Sequence, residues 1–326
     1  MGEVAALTGI LLVQLGTPDA PTEDAYRAYL REFLSDPRVI ERQGLAWQLV
    51  LRFLVLPGRA GPVVRNYREI WDPAAGSPLL SLTRRQAEGL AGRIGPSASV
   101  RWAMRYGRPK VDEAFDAFAA EGVDRIVVLP LYPQYSATST ASAYDDVFRA
   151  LSRRRFVPTV RFVPPFYAHP EYLAALAARV RETVVAAGFE PERYVYSFHG
   201  IPVSYAERGD PYAEHCRATA DGLTRALGLP TGRAMLTFQS QFGREPWLDP
   251  KTEGSLVALA REGVRRVLVT NPGFTTDCLE TIFEIGREVA EAFHEAGGET
   301  LLRVPCLNDH PRWMEALEAI VRQESA

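Results

Sequence analysis

Short apolar runs alternate along this chain with longer amphipathic segments. The apolar runs are rich in β-branched and aliphatic residues, and they predict eight strands, at 9–15, 100–106, 125–131, 160–163, 194–199, 234–239, 266–270 and 300–304. The longer segments predict helices, among them 111–120, 172–187, 212–227, 254–261, 280–296 and 311–322. Several strands are apolar nearly throughout, which is expected when helices cover both faces of a parallel sheet. The alternation therefore predicts an α/β fold built from βαβ units.

The chain also repeats itself. Residues 121–128 (EGVDRIVV) match residues 262–269 (EGVRRVLV), and a Gly-x-Pro motif ends a strand at Gly16 and again at Gly200. Because the echoes keep their order, we predict two similar four-stranded halves, as domains 1–165 and 166–326. A cleft between such halves, lined by strand ends, is the expected binding site. The last helix could pack on its own half or back on the first.

Composition narrows the class of protein. The chain has 326 residues, of which 47% are hydrophobic and 24% charged, as is ordinary for a globular enzyme. A net charge of -3 gives no support for nucleic-acid binding. No G-x-G-x-x-G follows a strand and no P-loop motif is present, so the main sequence signals of an enzyme that binds a nicotinamide cofactor or ATP are missing.

Cysteine usage and hydropathy bear on the compartment. The three cysteines are far apart and form no C-x-x-C pair, which argues for a reducing compartment and against a disulfide framework or a closed iron–sulfur site. The N-terminus has no signal-peptide pattern. No apolar run reaches the ~20 residues that a membrane span needs, and the nearest, Leu45 to Pro57, is interrupted by Arg52. We therefore expect a cytoplasmic protein.

One strand ends on a histidine. Residues 194–199 read YVYSFH, and Gly200 and Pro202 then break the run. His199 thus lies at the carboxyl edge of a strand, where ligands bind in open α/β sheets. Its imidazole is a candidate base or metal ligand, and a hydrogen-bonded structural histidine is the alternative.

A row of carboxylates follows another strand of the same half. Asp277 precedes Glu280, Glu284 and Glu288, whose i, i+4, i+8 spacing places three carboxylates on one helix face. Asp277 and Glu280 also have capping-box spacing, and a solvated face would tolerate the others. Since His199 and Glu280 both follow strand ends, one cleft could hold both. Such a pair suits either a divalent metal such as Fe(II) or a base with its orienting partner.

Further polar and aromatic residues stand at predicted strand ends, and each has a structural alternative. A hydroxyl run from Ser136 could hold ligand carboxylates at a helix start, or simply cap that helix. Trp247 could be part of the core or an apolar wall for a flat ligand. The remaining polar and aromatic candidates at strand ends are Gln14, Arg105, Tyr106, Tyr135, Gln239 and Ser240.

These motifs together resemble the ferrochelatase family, which inserts ferrous iron into a porphyrin. The similarity extends from Gly9 to about Asp309, close to the whole chain. Its most specific parts are YSFHGIP (196–202), RGDPY (208–212), FQS (238–240) with PWL (246–248), DCLET (277–281) and LPLYPQYS (129–136). The resemblance implies two Rossmann-like domains around a porphyrin cleft, in agreement with the internal repeat.

Roles for individual residues are implied by the same resemblance. His199 matches an active-site histidine that accepts pyrrole protons, binds iron, or does both, and Glu280 matches its carboxylate partner. Asp277, Glu284 and Glu288 match an acidic route for metal or protons. Leu15, Arg105, Tyr106, Tyr135, Ser136, Gln239, Ser240 and Trp247 match residues of the porphyrin site, with Arg105 and Tyr106 also on a second proposed metal route. An apolar lip, at about 40–57, matches a segment that covers the macrocycle and touches a membrane surface.

Cofactor and substrate follow from how this chain compares with the family pattern. Some members carry a cysteine-rich C-terminal extension for a 2Fe–2S cluster, whereas only Cys306 lies near the end here, so we expect no cluster and no permanent cofactor. Fe(II) and a porphyrin are the expected substrates. The amino-acid sequences of these motifs are closer to those of family members that use protoporphyrin IX. Three alternatives remain: the substrate is coproporphyrin III, the protein is another tetrapyrrole metal chelatase, or it binds a tetrapyrrole without catalysis.

Overall fold

Eight strands form two four-stranded parallel sheets in the computed structural model, which describes residues 7–41, 44–243 and 245–325. The strands are β1 (Thr8–Gly16), β2 (Ala98–Tyr106), β3 (Arg125–Pro130), β4 (Thr159–Phe162), β5 (Arg193–His199), β6 (Ala234–Gln239), β7 (Arg266–Thr270) and β8 (Thr300–Arg303). The strand orders are β2-β1-β3-β4 and β6-β5-β7-β8, the same topology twice. All eight predicted strands and the predicted α/β fold are confirmed.

Helices occupy the connections between strands. The α-helices are α1 (Glu23–Leu34), α2 (Leu45–Val50), α3 (Leu56–Ile70), α4 (Pro78–Ile94), α5 (Val111–Ala120), α6 (Ser142–Ser152), α7 (Pro170–Ala187), α8 (Val203–Glu207), α9 (Tyr212–Leu227), α10 (Thr252–Arg261), α11 (Ala290–Glu295) and α12 (Pro311–Ser325). Three stretches are π-helical, Leu51–Val55, Ala137–Ala141 and Glu280–Val289, and Gly95–Ser97 forms a 3₁₀ turn. The predicted helix at 280–296 is thus π-helical over its first ten residues.

The chain divides into two compact units. The first contains the described residues up to Tyr132, Ser136–Pro164 and those from Leu317 onward, and the second contains Pro133–Tyr135 and Pro165–Ala316. The C-terminal part of α12 therefore belongs to the first unit, where Glu318 accepts a hydrogen bond from Arg93 on α4 at 2.7 Å.

Each unit has its own apolar core between sheet and helices. In the first unit, Leu11 and Val128 from the central strands pack with Phe115 and Phe118 of α5, all at most 1% exposed. In the second unit the corresponding layer is formed by Val195, Val267 and Val269 of the sheet with Ile285 and Phe293. Fully burying a side chain of this size contributes roughly 1.5–3 kcal/mol. The strands are thereby fixed in register, and their carboxyl ends are held together at one edge of each sheet.

The predicted lip is a helix in the first unit. α2, the π-turn Leu51–Val55 and α3 follow one another without a break, while residues 42 and 43 of the predicted lip lie outside the described residues. Leu51 and Leu56 are buried and anchor the segment. Its outer face is apolar and solvent-exposed, with Leu45, Leu49, Val50, Phe53 and Leu54 between 38% and 87% exposed. No described helix is long and apolar enough to cross a membrane.

Candidate functional site

The candidate site of the second unit is built on the carboxyl ends of β5 and β6. His199 and Gln239, the last residues of these strands, are direct neighbours in the parallel register. The N–H of Gly200 donates to the Gln239 carbonyl at 2.7 Å, which extends the pairing one residue past the strand. The pairing with β6 therefore fixes the backbone from which the imidazole projects.

The tautomer of the neutral His199 ring follows from its hydrogen bond to the backbone of Gly200. Nδ1 lies 2.6 Å from the carbonyl oxygen of Gly200. A carbonyl can only accept, so Nδ1 carries the proton and Nε2 of the neutral ring keeps its lone pair. The half-buried ring lies between two aromatic neighbours, with centroids 6.2 Å from Trp247 and 6.4 Å from Phe274. Nε2 is thus the nitrogen that can accept a proton or bind a metal.

Glycine at position 200 is required by close packing. A Cβ there would lie 3.1 Å from the Trp247 ring and 3.2 Å from the Ser240 carbonyl oxygen. Both are tighter than ordinary van der Waals contacts, and the backbone oxygen cannot move aside easily. Trp247 is itself fixed by an antiparallel bridge to Pro202. The sequence left open whether Trp247 is core or wall, and in the structure it packs beside the catalytic candidate His199.

The acidic row begins on the π-helix Glu280–Val289. Glu280 and Glu284 are half-buried, whereas Glu288 is exposed. Glu284 accepts hydrogen bonds from the Ser240 N–H at 2.9 Å and from the Ser240 hydroxyl at 2.6 Å. Burial raises the pKa of the Glu284 carboxyl, and the Ser240 hydroxyl and nearby His199 oppose that rise. The three carboxylates therefore occupy different environments even though their spacing is regular.

Gln239 ties the strand ends to this helix. Its side chain is 3% exposed, and Nε2 donates to the Glu280 carbonyl oxygen at 3.0 Å. Its Oε1 accepts from the Ser197 hydroxyl at 2.8 Å and from the Asn271 amide at 2.5 Å. One amide thus joins β5, the segment after β7 and the start of the π-helix. As placed, the Gln239 side chain is used within the protein, and its predicted contact with porphyrin stays a prediction.

Asp277 is a fully engaged carboxylate. It accepts from Arg303 at 2.8 Å, from the Thr281 hydroxyl at 2.8 Å and from the Asn308 amide at 2.7 Å. Although burial alone would raise it, the pKa of Asp277 is lowered, because Arg303 and these hydrogen bonds favour the charged form. The contact across the helix start runs from the Thr281 hydroxyl to Asp277, in place of the capping box that the spacing suggested. The placement supports the first turn of the π-helix, and a part in metal or proton conduction stays a prediction.

Arg105 and Tyr106 belong to a buried polar cluster of the first unit. The Arg105 guanidinium donates to Asp36 at 2.5 Å and to the Ser142 hydroxyl at 2.7 Å. The Tyr106 hydroxyl donates to Asp36 at 2.8 Å. Hydrogen bonds from Ser142, the Arg38 backbone and Tyr106, together with the Arg105 charge, lower the pKa of Asp36 despite its burial. Arg105 is 6% and Tyr106 0% exposed, so both side chains face this cluster, and their contact with a porphyrin or metal stays a prediction.

Hydrogen bonds within the protein hold the other predicted porphyrin residues. The Leu15 N–H donates to the Gln14 side chain at 2.9 Å, and the Tyr135 N–H donates to His215 Nδ1 at 3.1 Å. Ser136 is the N-cap of the π-helix Ala137–Ala141, where its hydroxyl accepts from the Thr138 N–H at 3.3 Å. The capping alternative for Ser136 is therefore observed.

Several residues of the site region carried no usable sequence signal. Phe274 flanks His199, and Arg303 holds Asp277, yet each is separated from its partner by many residues and neither stands in a chemical motif. Phe274 lies four residues after the end of β7, so its place near a strand end was the one available hint. Within the described ranges, no group of three or more His, Cys, Asp and Glu side chains forms a ready metal site. The cysteines Cys216, Cys278 and Cys306 are free and buried.

Comparisons with known proteins agree on one family. A family model described as "Ferrochelatase" matches residues 7–325. A relative named ferrochelatase from Bradyrhizobium diazoefficiens is 47% identical over 319 residues, covering 97% of this chain and 92% of its own. The ferrochelatase of Pectobacterium atrosepticum is 47% identical over 313 residues, covering 96% and 97%.

Solved structures extend the agreement to the fold. SirB from Bacillus subtilis, determined with Fe³⁺, has a TM-score of 0.58 at 16% identity and covers 98% of this chain and 96% of its own. CbiX, described as the terminal enzyme of sirohaem biosynthesis in denitrifying bacteria, has a TM-score of 0.53 at 18% identity and covers 97% and 98%. Sequence identities this low show a shared fold and do not show a shared function.

Proposed function

This chain belongs to the ferrochelatase family and inserts ferrous iron into a porphyrin, and we propose that its porphyrin is protoporphyrin IX, which it converts to protohaem. The reaction releases two protons, one from each pyrrole N–H that the metal replaces. The support for this choice is the resemblance of the family motifs in this chain, which are closer to the protoporphyrin type. The proposal requires no resident cofactor, because the porphyrin nitrogens bind the metal and no electron is transferred.

His199 carries the proposal for the site. Its Nδ1–H donates to the Gly200 carbonyl oxygen, so Nε2 is available to a pyrrole proton or to the incoming iron. A base must lie within hydrogen-bonding distance of the proton that it removes, and a strand end fixes such a base well. Trp247 and Phe274 are its aromatic neighbours, with ring centroids 6.2 Å and 6.4 Å from that of the imidazole. We assign to His199 the removal of pyrrole protons, the binding of iron, or each in turn.

Glu284 lies close enough to His199 for the two side chains to interact electrostatically, and we propose that Glu280 adds negative charge at the same site. A carboxylate stabilises the imidazolium that forms when His199 takes a proton, and it also attracts the ferrous ion. Glu284 is held by Ser240, and Glu280 is held through its own carbonyl by Gln239. We propose Glu280 as the partner of His199 in catalysis and metal binding, with Glu284 and then the exposed Glu288 leading outward as the route for metal or protons.

The exposed apolar face of α2 and the following π-turn fits two roles. Large apolar patches of this kind mark binding surfaces, because a soluble monomer rarely exposes them without a function. We propose that the lip contacts the macrocycle and touches a membrane surface peripherally, with Leu49, Phe53 and Leu54 as the inserted side chains. The enzyme itself is proposed to work in the cytoplasm.

A paired metalation assay tests the proposal. Purified protein is mixed anaerobically with Fe(II) and either protoporphyrin IX or coproporphyrin III, and haem formation is followed by absorbance. A much higher kcat/KM with protoporphyrin IX is expected. A preference for coproporphyrin III would replace the proposed substrate and keep the chemistry. Tight binding of both porphyrins without any metalation would identify a carrier and overturn the proposal.

A further inference from the structure

The backbone of Ser240 adopts a conformation that side-chain-bearing residues avoid. Its φ of 59° lies in the left-handed region, and Asn308 is the one other described non-glycine residue with positive φ. Such a residue costs of order 1–3 kcal/mol unless its surroundings hold it, and these residues cluster at functional sites. A glycine would adopt the same backbone without strain. The presence of serine therefore calls for a role of its side chain.

That role is visible in the hydrogen bonds of Ser240. The left-handed turn immediately after β6 directs both donors of Ser240 at one carboxylate, with the N–H 2.9 Å from Glu284 Oε1 and the hydroxyl 2.6 Å from Oε2. Charge-assisted bonds of this length are about twice as strong as neutral ones. Gln239 adds a third, longer contact to Oε2 at 3.4 Å. Two adjacent residues thus hold both oxygens of Glu284.

The same turn lies against the active-site histidine. A Cβ at Gly200 would be 3.2 Å from the Ser240 carbonyl oxygen, so the two backbones touch directly after His199. Gln239 is the register neighbour of His199. The position of the Glu284 carboxylate is therefore set by the strand pair that also sets the imidazole, and it does not depend on the π-helix alone.

We propose that Ser240 is a positioning residue of the metalation reaction, which holds the Glu284 carboxylate in fixed orientation beside His199. This inference rests on the proposed function, in which Glu284 serves the metal or proton route. It differs from the expectation that Ser240 binds porphyrin directly. In the positioning role Ser240 affects the rate of the chemical step through Glu284, whereas direct binding would affect the affinity for porphyrin.

Kinetics of Ser240→Gly and Ser240→Ala separate the two roles. Both remove the hydroxyl and keep the N–H, and the glycine variant also relieves the strained backbone, so it should be more stable than the alanine variant. Loss of such a supporting hydrogen bond commonly lowers activity about 10- to 100-fold. We expect a fall of that order in kcat for both variants, with the KM for porphyrin unchanged. Ser255→Ala, which removes a hydroxyl bonded only to the Lys251 carbonyl within α10, should have parental kinetics.

A double-mutant cycle with Glu284→Gln completes the test. If Ser240 acts through Glu284, Ser240→Gly should cause little further loss in the Glu284→Gln background. An equal loss in both backgrounds, or a raised KM with unchanged kcat, would overturn the positioning role. A second readout needs no turnover. In protein carrying ¹³C-labelled glutamate, the infrared carboxylate band assigned by Glu284→Gln should shift in Ser240→Gly. An unshifted band refutes the inference even if the protein proves to be an excellent ferrochelatase.

Discussion

Arg303 is expected to control the stability of the second unit through a single buried charge. Its guanidinium lies 2.8 Å from Asp277, whose side chain is 7% exposed. Arg303→Met removes the charge and keeps an apolar stem of similar length. Removing one partner of a buried pair leaves an uncompensated charge and costs roughly 3–5 kcal/mol. The loss of stability should be smaller at acidic pH, because the Asp277 carboxyl can then take up a proton and lose its charge.

The size of this pH dependence follows from the free-energy cost of protonating Asp277. An unfolded aspartate has a pKa of about 3.9, and each pH unit above it makes protonation about 1.36 kcal/mol more costly. Neutralising Asp277 in the folded variant therefore costs about 4 kcal/mol at pH 7 and about 1.5 kcal/mol at pH 5. In the parent, the lowered pKa of Asp277 gives a stabilisation that is fully present above the unfolded value and is lost only in stronger acid. The difference in the free energy of unfolding between the parent and Arg303→Met should thus widen with rising pH.

Urea unfolding followed by circular dichroism at pH 5, 6, 7 and 8 measures this difference. The control is the double variant Arg303→Met with Asp277→Asn, which has neither charge and should lose the pH dependence. A gap between parent and Arg303→Met that is constant from pH 5 to 8 would refute the assignment of the effect to Asp277. Metalation by the double variant answers a separate question. Near-parental turnover would show that Asp277 supports the π-helix and conducts nothing.

Four further outcomes are expected. His199→Ala should reduce metalation to near the uncatalysed rate with an unchanged circular dichroism spectrum, and parental turnover would remove His199 from the mechanism. Because burial raises the pKa of Glu284, kcat should decline at a higher pH than for an ordinary carboxylate, and in Glu284→Gln that contribution to the acid limb of the pH profile should disappear. Gly200→Ala should crowd the Trp247 ring and the Ser240 backbone, lowering stability by about 1–3 kcal/mol as overpacked sites do, so an unchanged melting temperature would contradict the close approach. Leu49→Ser with Phe53→Ser should release the protein from lipid vesicles in a flotation assay, while Val185→Ser on α7, at a residue 80% exposed, should not.

The fold was predictable because its signals are local. Each strand is a short apolar run bounded by turn residues, and both faces of each sheet are covered, so hydrophobicity alone marks the strands. The echo between residues 121–128 and 262–269 then indicated two equivalent halves, and both sheets have the same strand order. His199 was identified for the same reason, since a histidine directly before Gly200 and Pro202 must stand at a strand end.

The environments of the acidic residues were not predictable, because they depend on partners far away in sequence. The regular i, i+4, i+8 spacing predicts the same environment for Glu280, Glu284 and Glu288. In the structure, only Glu284 accepts a hydrogen bond from the Ser240 hydroxyl. Asp277 and Glu280 are three residues apart, but Asp277 binds Arg303, which lies 26 residues later. A π-helix gives no hydrophobic period of its own in so short a stretch. Sequence could place these carboxylates on one element and could not say which of them were already engaged.

The contrast between Asp277 and Glu284 explains how one short segment can serve both stability and reaction. Asp277 is surrounded by donors and a guanidinium, so its pKa is lowered and its charge is fixed at physiological pH. Glu284 accepts its hydrogen bonds from the uncharged groups of Ser240 and Gln239, and burial raises its pKa. A carboxylate with a raised pKa takes up a proton at a higher pH than one with a lowered pKa. The first turn of the π-helix is thereby anchored by a carboxylate that stays charged, and the next turn carries Glu284, for which we propose the part in proton transfer.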